Sequence, residues 1–148
     1  MLPDMDLSKV TVRAGDYAAG ELEHVMQASV DTTVAAMLTH AAGRASIVFA
    51  AGVDHAEALA DALTAGGVRA AAVTGAMSAE ARAEVYAAFT EARLDAMVTV
   101  QVLTEGADFP RCDAVVMARP TRSQTLYSQM VGRAVRLYPG KTDALVLD

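Results

Sequence analysis

The chain has 148 residues, 53% of them hydrophobic, a formal charge of −6 and one cysteine, which allows one domain with a real core and excludes a disordered chain. Cys112 alone excludes an internal disulfide and a cysteine-rich zinc site, and the acidic balance argues against a general nucleic-acid coat. No apolar run reaches the roughly 18 residues of a membrane span and the opening MLPDMDLSKV lacks the layout of a signal peptide, so the expected setting is the cytoplasm, away from any membrane.

In chain order, residues 1 to about 30 are polar and irregular, with a short strand expected over KVTVR (Lys9 to Arg13) and a helical turn or two over GELEHVMQ (Gly20 to Gln27). A helix is expected over Thr33 to Ala42, stopped by Gly43. SIVFA (Ser46 to Ala50) is a short, apolar, β-branched run of the kind found in buried parallel strands. Asp54 is expected to cap the amphipathic helix HAEALADALTA, which ends at Gly66-Gly67. RAAAV (Arg69 to Val73) reads as the next strand, and Ser78 opens a helix, AEARAEVYAAF, with Val85 and Phe89 on one face. LDAMVTV (Leu94 to Val100), DAVVMA (Asp113 to Ala118) and DALVLD (Asp143 to Asp148) read as three further strands. Strand and helix alternating at this spacing give an α/β fold, a parallel sheet with helices on both faces. Ligands bind such a sheet outside the carboxyl ends of its strands, so the loops after Ala50, Val73, Val100 and Ala118 are the ones to watch.

Between the last two strands lies a helix, QTLYSQMVGRAVRLYPGK (Gln124 to Lys141), that carries Gln129, Gly132, Arg133 and Arg136. Six of the twelve basic residues lie in the last forty positions, opposed there by Asp113, Asp143 and Asp148. Arginines three apart share a helical face, and each presents a permanent charge on a rigid donor fork suited to phosphate or carboxylate. Clamping a phosphoryl group in transfer is one use of such a pair; a solvated basic face with a helix-packing glycine is the other. In VLTEGADFP (Val102 to Pro110), Glu105-Gly106 turns the chain just past a strand end and Asp108 is placed either to accept hydrogen bonds from sugar hydroxyls or to form an Asx turn before Pro110.

Taken together, these segments resemble the second RecA-like domain of superfamily 2 helicases, the group of DEAD/DEAH-box, RadD-like and restriction-type translocases. QMVGRAVR matches that family's sixth motif, Q-x-x-G-R-x-x-R, and VLTEGADFP its fifth. SIVFAAGVDHAEALADAL looks like the fourth, and VTGAMSAEARAEVYAAFTEARLDAMV, with Arg82 central in its helix, resembles the stretch that leads to the fifth. The resemblance covers about Ala45 to Asp148 and implies a RecA-like domain over residues 45–148, with residues 1–44 as linker and lead-in.

What the resemblance implies for function is specific. Arg133 and Arg136 reach across a cleft to the γ-phosphate of ATP, at least one of them as an arginine finger, a role worth about 10³ to 10⁵ in rate. Gln129 sits by the attacking water, and Asp108, with Glu105, Gly106 and Gly132, lies on the nucleotide side by the ribose. Thr104 and Thr99, with backbone amides around Gly75 and the turn after Phe49, contact the phosphodiester backbone of a DNA or RNA strand, which carries position rather than sequence. Val100 stands where DEAD-box relatives often carry threonine, with Thr99 adjacent.

ATP and Mg2+ are then held mainly by a first RecA-like domain, in the same parent chain or a separate one. This sequence has no G-x-x-x-x-G-K-[ST] phosphate loop and no D-E-A-D or D-E-x-H box, so the chain alone is expected to be inactive. Two other readings compete with the motor domain. A stand-alone, non-catalytic helicase-like module that binds nucleic acid or a partner protein predicts relaxed identities at the finger positions, whereas Arg133, Arg136, Gln129 and Asp108 are intact. An unrelated doubly wound phosphate-binding enzyme wants a glycine-rich turn after its first strand, where AAGVDH has one glycine. His24, His40 and His55 lack metal-ligand spacing and read as structural or solvent-facing, Cys112 as packing, and the eight methionines as core filler.

Overall fold

The computed structural model describes residues 12–13, 16–17, 26, 29–100, 109–119, 128–129, 132 and 143–147. Two short strands, β1 (Val12–Arg13) and β2 (Asp16–Tyr17), pair antiparallel; the second was not foreseen. Then follow α1 (Val30–His40), β3 (Ser46–Phe49), α2 (Val53–Ala65), β4 (Ala70–Val73), α3 (Ala79–Thr90), β5 (Ala96–Thr99), β6 (Ala114–Met117) and β7 (Leu145–Leu147). Met26, Ser128, Gln129 and Gly132 are also helical. β3 to β7 form one parallel sheet in the order β4-β5-β3-β6-β7, which is the expected α/β architecture.

The centre of this sheet is β3, whose four residues are all buried. Successive side chains in a strand point to opposite faces, and here each face has its own core. On one, Val34 and Met37 of α1 and Ala56, Leu59 and Leu63 of α2 join the cluster containing Val48, Val98 and Val116. On the other, Phe89 of α3 joins Ile47, Phe49, Met97, Val115 and Met117. Phe109 completes this layer, edge-on to Phe89 at 5.7 Å between ring centroids and tilted against Tyr86 at 5.2 Å. Each large apolar side chain fully buried in this way contributes about 1.5–3 kcal/mol. Cys112 is a packing residue, fully buried with Sγ donating to the Ala114 carbonyl at 3.3 Å.

Two helix starts differ from expectation. α1 begins at Val30, three residues before Thr33, so Thr33 and Val34 lie inside the helix on its buried face. α2 starts with Gly52 rather than Asp54 as its N-cap. The Gly52 carbonyl already accepts the first helical bond, from Ala56 N–H at 2.9 Å, and Asp54 lies exposed in the first turn. Ser78 caps α3 as expected, its Oγ accepting from Ala81 N–H at 3.1 Å.

Ion pairs tie the amino edge of the sheet. Arg44 donates to both carboxylate oxygens of Asp143 at 2.8 and 3.1 Å, while Asp113 accepts the Ala45 N–H at 2.8 Å, so the lead-ins to β3, β6 and β7 are joined. Arg69 grips Asp95 in the same two-pronged way at 2.8 and 3.0 Å, joining β4 to β5. These hydrogen bonds hold the Asp95 and Asp143 carboxyls below the usual carboxylate range. A groove of about 270 Å³, lined by Met37, Leu38, Arg44, Gly66, Val68 and Asp95 among others, lies on this amino edge, away from the carboxyl-end loops.

Candidate functional site

The parallel register levels the carboxyl ends of the strands. Val73 is opposite Thr99, Thr99 is opposite Phe49, and Phe49 is opposite Met117. The loops leaving these positions therefore emerge side by side along one edge. From β3 the chain crosses outward to β4, and from β6 it leaves the other way to β7, so the direction of winding reverses between β3 and β6. Open α/β sheets take ligands in the crevice at such a reversal. Arg119, two residues past β6, has 9% of its surface exposed there.

The β4–α3 loop is held by its own residues. Met77 N–H donates to the Thr74 carbonyl at 3.2 Å, and Thr74 N–H donates to the Met77 sulfur at 3.4 Å. Arg82, one turn into α3, donates to the Met77 carbonyl at 3.0 Å. Gly75 is exposed at the apex with open space where a Cβ would stand. The loop thus presents bare backbone to solvent on a fixed support.

The β3–α2 turn is tighter. Ala50 N–H donates to the Thr99 carbonyl at 2.8 Å, still as part of the sheet, and Ala51 N–H donates to His55 Nδ1 at 2.9 Å. His55 is fully buried, and burial lowers its pKa to about 4, so the ring is neutral near pH 7. Phe49 is fully buried and Thr99 is 3% exposed. At these two positions any contact with a strand runs through the backbone beyond the side chain rather than through the side chain itself.

On the sixth-motif helix, Gln129 is exposed, and Gly132, three residues on, has no atom within 4 Å of an added Cβ. Arg133, Arg136, Thr104, Glu105, Gly106 and Asp108 lie outside the described residues. The sheet accordingly brings together Gly75, Thr99 and the turn after Phe49. Sequence reasoning named those three but missed the braces behind two of the loops, His55 and the Arg82–Met77 pair. For His55 the available signal was its place three residues after the true N-cap, where a capping-box side chain reaches back.

Beyond the described geometry, residues 21–138 match the family model of the helicase conserved C-terminal domain. A protein of Schizosaccharomyces pombe named as a mitochondrial ATP-dependent helicase, irc3, is 39% identical over 114 residues, which cover 76% of this chain and 19% of that protein. The 51.5 kDa protein of a Lactococcus phage (isolate 7-9) is 27% identical over 148 residues, 99% of this chain and 32% of its own length. Among solved structures, domain 2 of the DEAD-box helicase Mss116p bound to an RNA duplex has a TM-score of 0.64 at 20% identity, covering 85% of this chain and 50% of that one. The C-terminal domain of the DEAD-box protein Dbp5 has a TM-score of 0.65 at 23% identity, covering 80% and 68%. The chain spans about a fifth to a third of the length of three curated relatives it matches, the phage protein and the two yeast helicases. With the fold, the loop edge and these matches in agreement, the chain belongs to the helicase conserved C-terminal domain family, as a second RecA-like domain of the superfamily 2 type.

Proposed function

We propose that this chain is the second motor domain of an ATP-dependent nucleic-acid helicase or translocase. The observation that carries the reading is the chain order, with VLTEGADFP following β5 and QMVGRAVR falling between β6 and β7, in a domain whose strands β3 to β6 have level carboxyl ends. Arg133 and Arg136 serve the γ-phosphate of ATP, which supplies the transferred phosphoryl group and is held with Mg2+ mainly by a first RecA-like domain. Exposed Gln129 orients the attacking water, and the open backbone at Gly132 lets the nucleotide-bearing domain approach. Asp108 accepts hydrogen bonds from the ribose, with Glu105 and Gly106 shaping the turn that presents it.

The other end of the edge grips the strand. Amides around Gly75 and at the exposed start of α2, beyond the buried turn after Phe49, together with Thr104 and the Thr99 position, meet phosphodiester oxygens and fix register without reading bases. The grip is light on a chain of net charge −6, so a large share of strand affinity comes from the partner domain. Closure of the two domains around ATP, each holding the strand, converts hydrolysis into movement. We place this work in the cytoplasm.

The chain carries no phosphate loop, and arginines without a bound triphosphate have nothing to act on. Calorimetric titration of the 148-residue chain with ATP and Mg2+ is expected to show no saturable binding in the micromolar range, and the chain alone no turnover. Hydrolysis by the chain alone that survives removal of both arginines would overturn the reading.

A further inference from the structure

The β3–α2 turn poses a hydrogen-bonding problem. Ala50, Ala51 and Gly52 are all buried, and Gly52 is fully extended at φ −170° and ψ −179°. The sheet takes the Ala50 N–H, but Ala51 lies one residue beyond the ladder, where a buried N–H without an acceptor is costly. His55 Nδ1 accepts it at 2.9 Å. His55 is at the third helical position after the N-cap Gly52, the place from which a glutamate or glutamine of a capping box reaches back to the cap. Here a histidine does so, and it reaches one residue further.

The choice of side chain has consequences. Accepting at Nδ1 fixes the neutral tautomer with its proton on Nε2, and burial keeps the ring neutral near pH 7. A glutamate would satisfy the same amide but would add a second carboxylate to a turn that already carries exposed Asp54. Charge of that sign repels an approaching phosphodiester.

We infer that His55 is a positioning residue: by accepting the Ala51 N–H it fixes the buried β3–α2 turn and so sets where the backbone at the exposed start of α2, Val53 and Asp54, meets a nucleic-acid strand. This rests on the strand-contact reading proposed above. His55 touches neither strand nor nucleotide and acts through Ala51. His55→Asn keeps an acceptor near the Nδ1 position; His55→Leu and His55→Phe remove it with two different shapes.

The test compares the three variants in the full-length protein by strand-stimulated ATP turnover with a single-stranded oligonucleotide, alongside amide exchange at Ala51 in this chain. His55→Leu and His55→Phe, whichever fold, are expected to raise the strand concentration for half-maximal stimulation about tenfold, the equivalent of one lost backbone contact. Maximal turnover should stay within about twofold, since the phosphate chemistry lies elsewhere on the edge. His55→Asn should restore the wild-type strand dependence and the slow Ala51 exchange. Unchanged strand dependence in the folded apolar variants, or a loss in His55→Asn equal to theirs, overturns the inference and leaves His55 a packing residue. Absence of strand stimulation in the wild type would overturn the strand reading itself, and this inference with it.

Discussion

His55 also couples folding to pH. Its pKa is about 4 in the folded chain because burial disfavours the imidazolium, against an ordinary value of 6.5. Between those values the unfolded chain binds the proton and the folded chain does not, so stability is full above about pH 6.5 and is lost as the pH falls toward 4. The loss amounts to at most about 3 kcal/mol. Below pH 4, protonation of Asp95 and Asp143, whose folded forms are held ionised by Arg69 and Arg44, removes more. Denaturant melts at pH 7 and pH 4.5 should show this drop in the wild type, and His55→Asn should flatten it. An equal drop in both would place the proton uptake elsewhere. With Asp54 taken as the cap of α2, this histidine is not distinguished from His24 or His40; its place three residues after a cap becomes visible only with Gly52 in that role.

The helices show which local signals were readable. α2 and α3 end in the same six-residue pattern of bonds. At α2, Val68 N–H donates to the Leu63 carbonyl and Gly67 N–H to Thr64; at α3, Arg93 N–H donates to Ala88 and Ala92 N–H to Phe89. Both pivots are left-handed, Gly67 at φ 91° and Ala92 at φ 61°. The glycine pair announced the first ending from sequence, whereas nothing about alanine announced the second. An L-residue with a Cβ is strained in that region by about 1–2 kcal/mol, of which glycine's greater unfolded-state freedom returns part. Ala92→Gly is therefore expected to stabilise the chain by about 0.5–1 kcal/mol, read as a higher midpoint in chemical denaturation at unchanged slope. A lower midpoint would mean that the alanine methyl makes contacts worth more than the strain. The strand assignments fared better because β3, β5 and β6 are buried on both faces, which demands unbroken apolar runs that are visible in the sequence.

At the scale of the whole molecule, the α/β fold was legible from alternating strand and helix signals, and the family from motifs in the right order. Strand order was not, since β5 inserts between β3 and β4 through contacts between residues 46–49 and 96–99 that no local pattern encodes. The site divides in the same way. Arg133, Arg136, Gln129 and Asp108 stand out in the sequence by residue type and motif spacing, but the supports at His55 and Arg82 exist only after folding. The central claim is that the two arginines serve a phosphate held by another domain. The most direct test is ATP turnover of the full-length protein with saturating single strand, for Arg133→Ala and Arg136→Ala against wild type, beside strand affinity measured by anisotropy. A fall of about 10³-fold or more in turnover for at least one variant, as for a finger, with strand affinity nearly unchanged is the expected result. Turnover intact in both variants, or a loss fully accounted for by weakened strand binding, would contradict the account and make these arginines ligands of the nucleic acid instead.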